Sequence, residues 1–134
     1  MARYVLEGFY VPGTPGSGRG FEGIIVISQD GLLSGTLDEL GPDASLQRQY
    51  DTQGFVHHGL DELALCFTGK TPQGNTYFCR ATKPLASGIV GMYALSCMCL
   101  LSGPTPLTIE EAISARWLSK NPLFSDLIEL KETT

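Results

Sequence analysis

The sequence predicts a mainly β fold: an antiparallel up-and-down β-barrel of about eight strands, followed by a C-terminal helix. Three observations carry this expectation. Segments with apolar residues at alternate positions recur from residue 3 to residue 99, each closed by a turn that contains glycine. After Gly103-Pro104-Thr105-Pro106 the apolar spacing changes from alternation to helical. With 134 residues, 43% hydrophobic and 17% charged, the chain suits one domain with a sizeable core. Residues 1–103 are expected to form the barrel and residues 104–134 a helical segment packed on the same domain.

The first strand is read at Tyr4 to Val11, with Tyr4, Leu6, Gly8 and Tyr10 on one face. Residues 12–20, Pro-Gly-Thr-Pro-Gly-Ser-Gly-Arg-Gly, form a long glycine-rich loop, either a surface connection or a lid over an opening. The loop lacks the Lys-Ser/Thr ending of a phosphate-binding loop, and a strand follows it rather than a helix. Phe21 to Ser28 and Leu32 to Asp38 form a hairpin whose register can be tested. A two-residue turn at Asp30-Gly31 mixes polar and apolar residues on both faces. A three-residue turn, Gln29-Asp30-Gly31 with Gly31 left-handed, sets Ile27 opposite Leu33, Ile25 opposite Gly35 and Gly23 opposite Leu37. This register gathers Phe21, Ile25, Ile27, Leu33 and Leu37 on one face. Gly23 and Gly35 on that face imply sharp strand bending.

Residues 44–58 read as two weak strands, Ser45 to Tyr50 and Gly54 to His58, around a turn at Asp51-Thr52-Gln53-Gly54. Glu62 to Lys70 and Asn75 to Lys83 are strands joined by Thr71-Pro72-Gln73-Gly74, a type I turn by its proline second and glycine fourth. Centring the hairpin there pairs Lys70 with Asn75 and Cys66 with Cys79. Pro84 to Gly88 turns the chain into a last strong strand, Ile89 to Met98. Thr108-Ile109-Glu110-Glu111 is a capping box. It opens a helix over about residues 109–120 that carries Ile109, Ala112, Ile113 and Trp117 and stops at Asn121-Pro122. Leu123, Phe124, Leu127 and Ile128 suggest a further short amphipathic helix, with a frayed tail from Lys131.

A net charge of −5, with nine scattered Lys and Arg, argues against nucleic-acid binding. Glu7 interrupts any secretory apolar segment, and the stretch Gly88 to Leu101 is too short to span a bilayer. A cytoplasmic chain with no membrane contact is therefore expected. Cys66, Cys79, Cys97 and Cys99 match neither a zinc-ribbon spacing nor a secreted disulfide framework, and are expected to be reduced, buried small hydrophobes. His57 and His58 are neighbours on a strand, face opposite ways and cannot share one metal. No metal or cofactor is expected, and no nucleophile elbow is present. A hydrolase or isomerase built on a Cys–His pair is the weakest of three functional readings.

Aromatic residues fall on strand positions: Tyr10, Phe21, Phe55, Phe67, Tyr77 and Tyr93. If their faces point inward, the interior is apolar with a few polar groups, the composition of a small-molecule cavity. The competing reading is that they simply fill the barrel, since about eight strands enclose a space that side chains can occupy.

The strand Glu7-Gly8-Phe9-Tyr10, the pattern Phe21-Glu22-Gly23-x-Ile25-x-Ile27, the pattern Gly31-x-Leu33-x-Gly35-x-Leu37-Asp38 and the strand Leu65-Cys66-Phe67-Thr68-Gly69-Lys70 carry a resemblance. Together they resemble calycin-type barrels: lipocalins, fatty-acid-binding proteins and avidin-like proteins, including small bacterial ones of unassigned function. The likeness spans about residues 3–99. It implies the barrel and a tendency to hold small apolar molecules, with no specific ligand. The first strand has Gly8-Phe9-Tyr10 where those families carry Gly-x-Trp, and Trp117 is the sole tryptophan, so biotin is not implied.

The function expected first is non-catalytic binding of a small, largely apolar ligand inside the barrel, with Tyr10, His57, Tyr77 and Tyr93 as polar groups and the 12–20 loop near the mouth. The alternative is a filled barrel that acts through its C-terminal helix as a protein-interaction or homo-oligomeric module, such as a homodimer. Its contact stripe would be Ile109, Ile113, Trp117, Phe124 and Leu127 on the C-terminal segment.

Overall fold

Strands β1 (Ala2–Phe9), β2 (Arg19–Ile27), β3 (Leu32–Leu40), β4 (Leu46–His58), β5 (Glu62–Lys70), β6 (Thr76–Pro84), β7 (Gly91–Leu100) and β8 (Phe124–Glu132) follow one another around a closed barrel. Each is antiparallel to the next, and β8 pairs back onto β1. The structure is a computed structural model and describes residues 2–9, 19–41, 43, 45–73, 76–100 and 124–133. The mainly β, antiparallel barrel expected from the sequence is thus present.

Alternation explains the core. Along each strand every second side chain enters the barrel, and those positions hold Tyr4 and Leu6, Ile25 and Ile27, Leu63 and Leu65, Ile128 and Leu130, all buried. The β2–β3 hairpin has the register set by apolar sorting: Ile27 faces Leu33, Ile25 faces Gly35 and Gly23 faces Leu37. Gly31 takes the left-handed conformation, at φ 81, that its turn requires.

The turns at 28–31, 59–61 and 85–90 lie at one end of the barrel, the turn end, together with Ala2 and Glu132. That end is closed by a polar clip. Lys83 points inward and is 5% exposed, and its ammonium donates to the carbonyls of Gly88 and Val90. It stands 5.4 Å from the centre of the Tyr93 ring, and the Tyr93 hydroxyl donates to the Ile89 carbonyl. A buried ammonium thus has carbonyl and aromatic partners in place of water.

Three expectations are corrected, and a fourth falls outside the described residues. The two weak strands at 45–58 are one strand of 13 residues, β4, and Asp51 to Gly54 is continuous ladder rather than a turn. The segment from Phe124 is not a helix but β8, and its last residues are not frayed. Thr133 donates both its backbone N–H and its hydroxyl to the Arg3 carbonyl. Phe124 and Leu127 are therefore part of the barrel wall rather than a helical contact stripe. The helix over 109–120, with its capping box and Trp117, lies outside the described residues, so no C-terminal helix is seen among those described. The β5–β6 hairpin is slipped by one: Lys70 pairs with Thr76, Cys66 with Arg80 and Phe67 with Cys79. The predicted register would have set Leu65 opposite Arg80, placing the guanidinium on the core face. The observed one pairs Leu65 with Ala81 and turns Arg80 outward, so apolar sorting outweighs turn geometry.

The interior tyrosines set the alkaline limit of stability. Burial raises the Tyr93 and Tyr50 hydroxyls well above the ordinary phenol range, with the Glu39 carboxylate adding at Tyr50, and raises Tyr4 in the same direction. In the unfolded chain these phenols ionise near pH 10, so above about that pH the unfolded state binds fewer protons than the native one. Stability is expected to be unaffected by these groups below about pH 10 and to fall as pH rises past it. Denaturant midpoints measured on both sides of that value, followed with phenolate absorbance, check this.

Candidate functional site

The barrel end opposite those turns encloses a cavity of about 200 Å³. Its wall is apolar: Leu6, Leu37, Phe67, Leu95 and Ile128, all buried core residues, with Phe21 half-buried beside them. Two small residues on neighbouring strands leave the space open. Gly69 lines it, and a Cβ there would meet Tyr50 only at an ordinary 3.5 Å. Cys79 lines it from β6.

Four polar side chains gather at the mouth. Glu39 and Arg48 are directly opposed on β3 and β4, and Tyr50 and Tyr77 stand next to them. The Tyr50 hydroxyl donates to Glu39 Oε2 at 2.9 Å. Arg48 Nη1 donates to the Tyr77 oxygen at 3.3 Å. The Tyr50 and Tyr77 rings meet edge to face, 5.6 Å between centres and 86° between planes. Both irregularities in the ladders of β1–β2 and β3–β4, at Gly8/Phe9 and at Glu39/Leu40, fall at this end. Bulges at a barrel rim re-aim side chains, and the second sits beside Glu39.

The four residues expected to bind a ligand fare differently. Tyr77 lines the cavity and hydrogen-bonds Arg48. Tyr93 points into the barrel but is fully buried at the turn end, bonded to Ile89. His57 stands on the face of β4 opposite to that of Tyr50 and Thr52, half-buried and across from Ala64. Tyr10 lies outside the described residues, as do residues 12–18 of the glycine-rich loop; the last two residues of that loop, Arg19 and Gly20, belong to β2, and Phe9 and Arg19 are paired at the cavity end.

Glu39, Arg48 and Tyr50 were not singled out by the sequence reading. The signal for them was alternation: Arg48, Tyr50 and Thr52 share the inward face of β4, and Leu37 and Glu39 that of β3. Breaking β4 at residue 51 hid it.

Of the cysteines, Cys66 is reduced and buried as expected, and Cys79 is not. Cys66 is not disulfide-bonded and is 1% exposed on the outward face of β5, and burial pushes its pKa up against the opposing pull of Arg80. An activated nucleophile needs the opposite shift, so Cys66 lacks the character that a Cys–His catalyst requires. Cys79 is not reduced but disulfide-bonded, and Cys97 stands directly across from it on β7. A covalent tie between neighbouring strands restricts the unfolded chain. Cys79→Ala is expected to cost about 2–4 kcal/mol in chemical denaturation. Reductant is expected to cost the native chain the same and the variant nothing.

The described residues contain no helix long and apolar enough to cross a membrane. In comparisons with known proteins, no family model, no curated protein and no solved structure matches this chain.

Proposed function

We propose that this chain is a non-catalytic binding protein of calycin-like type that holds a small, largely apolar molecule in the cavity at the end of its barrel. The observation that carries the reading is the division of the lining. The wall is apolar and already packed into a stable core, while the polar groups Glu39, Arg48, Tyr50 and Tyr77 converge at one mouth. Small-molecule sites have this make-up: an apolar body pocket and a few placed polar groups for orientation. A cavity of about 200 Å³ is somewhat larger than the roughly 150 Å³ that admits benzene, which sets the ligand at about eight non-hydrogen atoms.

Native mass spectrometry, compared with the denatured mass of the same sample, tests the reading. A small adduct released on denaturation supports it. Two variants localise the site. Tyr77→Phe removes one hydroxyl and is expected to weaken binding about three- to tenfold without changing the unfolding midpoint. Gly69→Val has room for its Cβ and fills the cavity; it is expected to abolish binding while the barrel stays folded. Binding unchanged in both variants overturns the assignment to this cavity.

A further inference from the structure

We infer that the cavity selects a neutral molecule whose polar end both accepts and donates hydrogen bonds, a primary amide or an alcohol, over a carboxylate or an amine. This rests on the binding reading above and adds the chemistry of the ligand's head.

The selection follows from how the mouth is already wired. Glu39 and Arg48 are cross-strand partners, so the rim carries one negative and one positive group side by side. Tyr50 stands beside both: it donates its own proton to Glu39 Oε2, and the Arg48 guanidinium bonds Tyr77, whose ring meets that of Tyr50 edge to face. The cation is therefore balanced before any ligand arrives. A carboxylate head brings a second anion next to Glu39, and an ammonium head brings a second cation next to Arg48. Like-charge placement in a partly desolvated site is unfavourable in both cases.

Among the described residues, and beside the N–H groups that Arg48 does not spend on Tyr77, the rim leaves open one hydroxyl donor and one carboxylate acceptor. Tyr77 accepts from Arg48, and among the described residues nothing accepts the Tyr77 proton. Glu39 uses Oε2 for Tyr50, and among the described residues nothing donates to Oε1. A head that accepts from Tyr77 and donates to Glu39 satisfies both at once, as an amide or a hydroxyl does and a carboxylate or ammonium does not. Below that rim the wall is apolar down to Leu6 and Ile128, so the remainder of the ligand is hydrocarbon.

Titration calorimetry at neutral pH with hexanamide, hexanol, hexanoate and hexylammonium, matched to the cavity in size, decides the matter when run on the native chain and on Glu39→Gln. The variant keeps an acceptor for Tyr50 and removes the negative charge. In the native chain the amide and the alcohol are expected to bind at least tenfold more tightly than either ion. In Glu39→Gln, hexanoate is expected to gain about tenfold through the unbalanced Arg48 while hexylammonium gains nothing. Equal binding of amide and carboxylate by the native chain overturns the inference, as does a hexanoate affinity indifferent to the substitution. If no probe binds either folded protein, the binding reading itself falls, and this inference with it.

Discussion

Removing residues 124–134 is expected to leave a chain that does not form the folded barrel at all. β8 is the closing strand: it pairs with β7 from Gly91 to Cys97 and with β1 from Tyr4 to Phe9. Ile128 and Leu130 are 1% and 0% exposed, and burying two such side chains stabilises the fold by about 1.5–3 kcal/mol each. Two ladders of backbone hydrogen bonds go with them. Against a net stability of about 5–15 kcal/mol for a typical domain, that loss is decisive. The edges of β1 and β7 would also be bared, and open edges invite aggregation. Circular dichroism and size exclusion read the outcome: loss of a cooperative transition, with aggregates rather than a smaller folded monomer. A pair of single substitutions removes the objection that deletion is a blunt instrument. Ile128→Asp places a charge in the core and is expected to unfold the chain, whereas Leu127→Asp on the half-buried outer face is expected to be tolerated. A stable, folded protein after the deletion would mean that the C-terminal segment is an accessory element, as the helical reading of Phe124 and Leu127 had it.

That helical reading failed for a definable reason. Leu123, Phe124, Leu127 and Ile128 are spaced like one face of a helix, yet in the strand Ile128 and Leu130 are buried in the core while Leu127, the neighbour of Ile128, lies on the other face. Over so short a stretch the two periods share positions, and closure of the barrel decides between them. The number of strands expected agreed with the structure because two errors compensated: β4 was divided in two and β8 was missed. The β2–β3 hairpin was legible because its register was tested by which residues shared a face. The β5–β6 register was set by turn chemistry alone and slipped by one residue. Tyr77 was legible as an inward tyrosine, whereas nothing singled out Glu39 and Arg48. Their pairing across β3 and β4 depends on a long-range register that turn signals do not encode. The disulfide at Cys79 depends on the same kind of fact, since the residue opposite it lies on β7 rather than β5.

Gly54 is the residue on which the misreading of β4 turned, and Gly54→Ala is expected to be among the most damaging single-methyl changes in the chain. A glycine after Asp51-Thr52-Gln53 looks like a turn residue. The structure gives it another role: it lies opposite Phe67 in the β4–β5 ladder, where the two backbones approach closely. A Cβ at this position would fall 2.0 Å from the Cys66 carbonyl oxygen and 2.6 Å from the Phe67 Cα. Both are backbone atoms, so no rotamer change relieves the clash and β5 itself has to move. Overpacking of this kind costs about 1–3 kcal/mol, with the upper end expected where backbone must give way. The displaced residue is Phe67, 3% exposed and part of the cavity wall, so ligand affinity is expected to fall together with stability. Gly69→Ala is the control, a glycine in the same pair of strands whose Cβ meets Tyr50 at 3.5 Å, and it is expected to leave the denaturation midpoint within about 0.5 kcal/mol of the native chain. If Gly54→Ala is as stable as Gly69→Ala, the close approach does not exist. Residues 51–54 then form the turn between two strands that their composition suggests, and the Arg48–Tyr50 end of β4 loses its fixed register against Phe67 and the cavity.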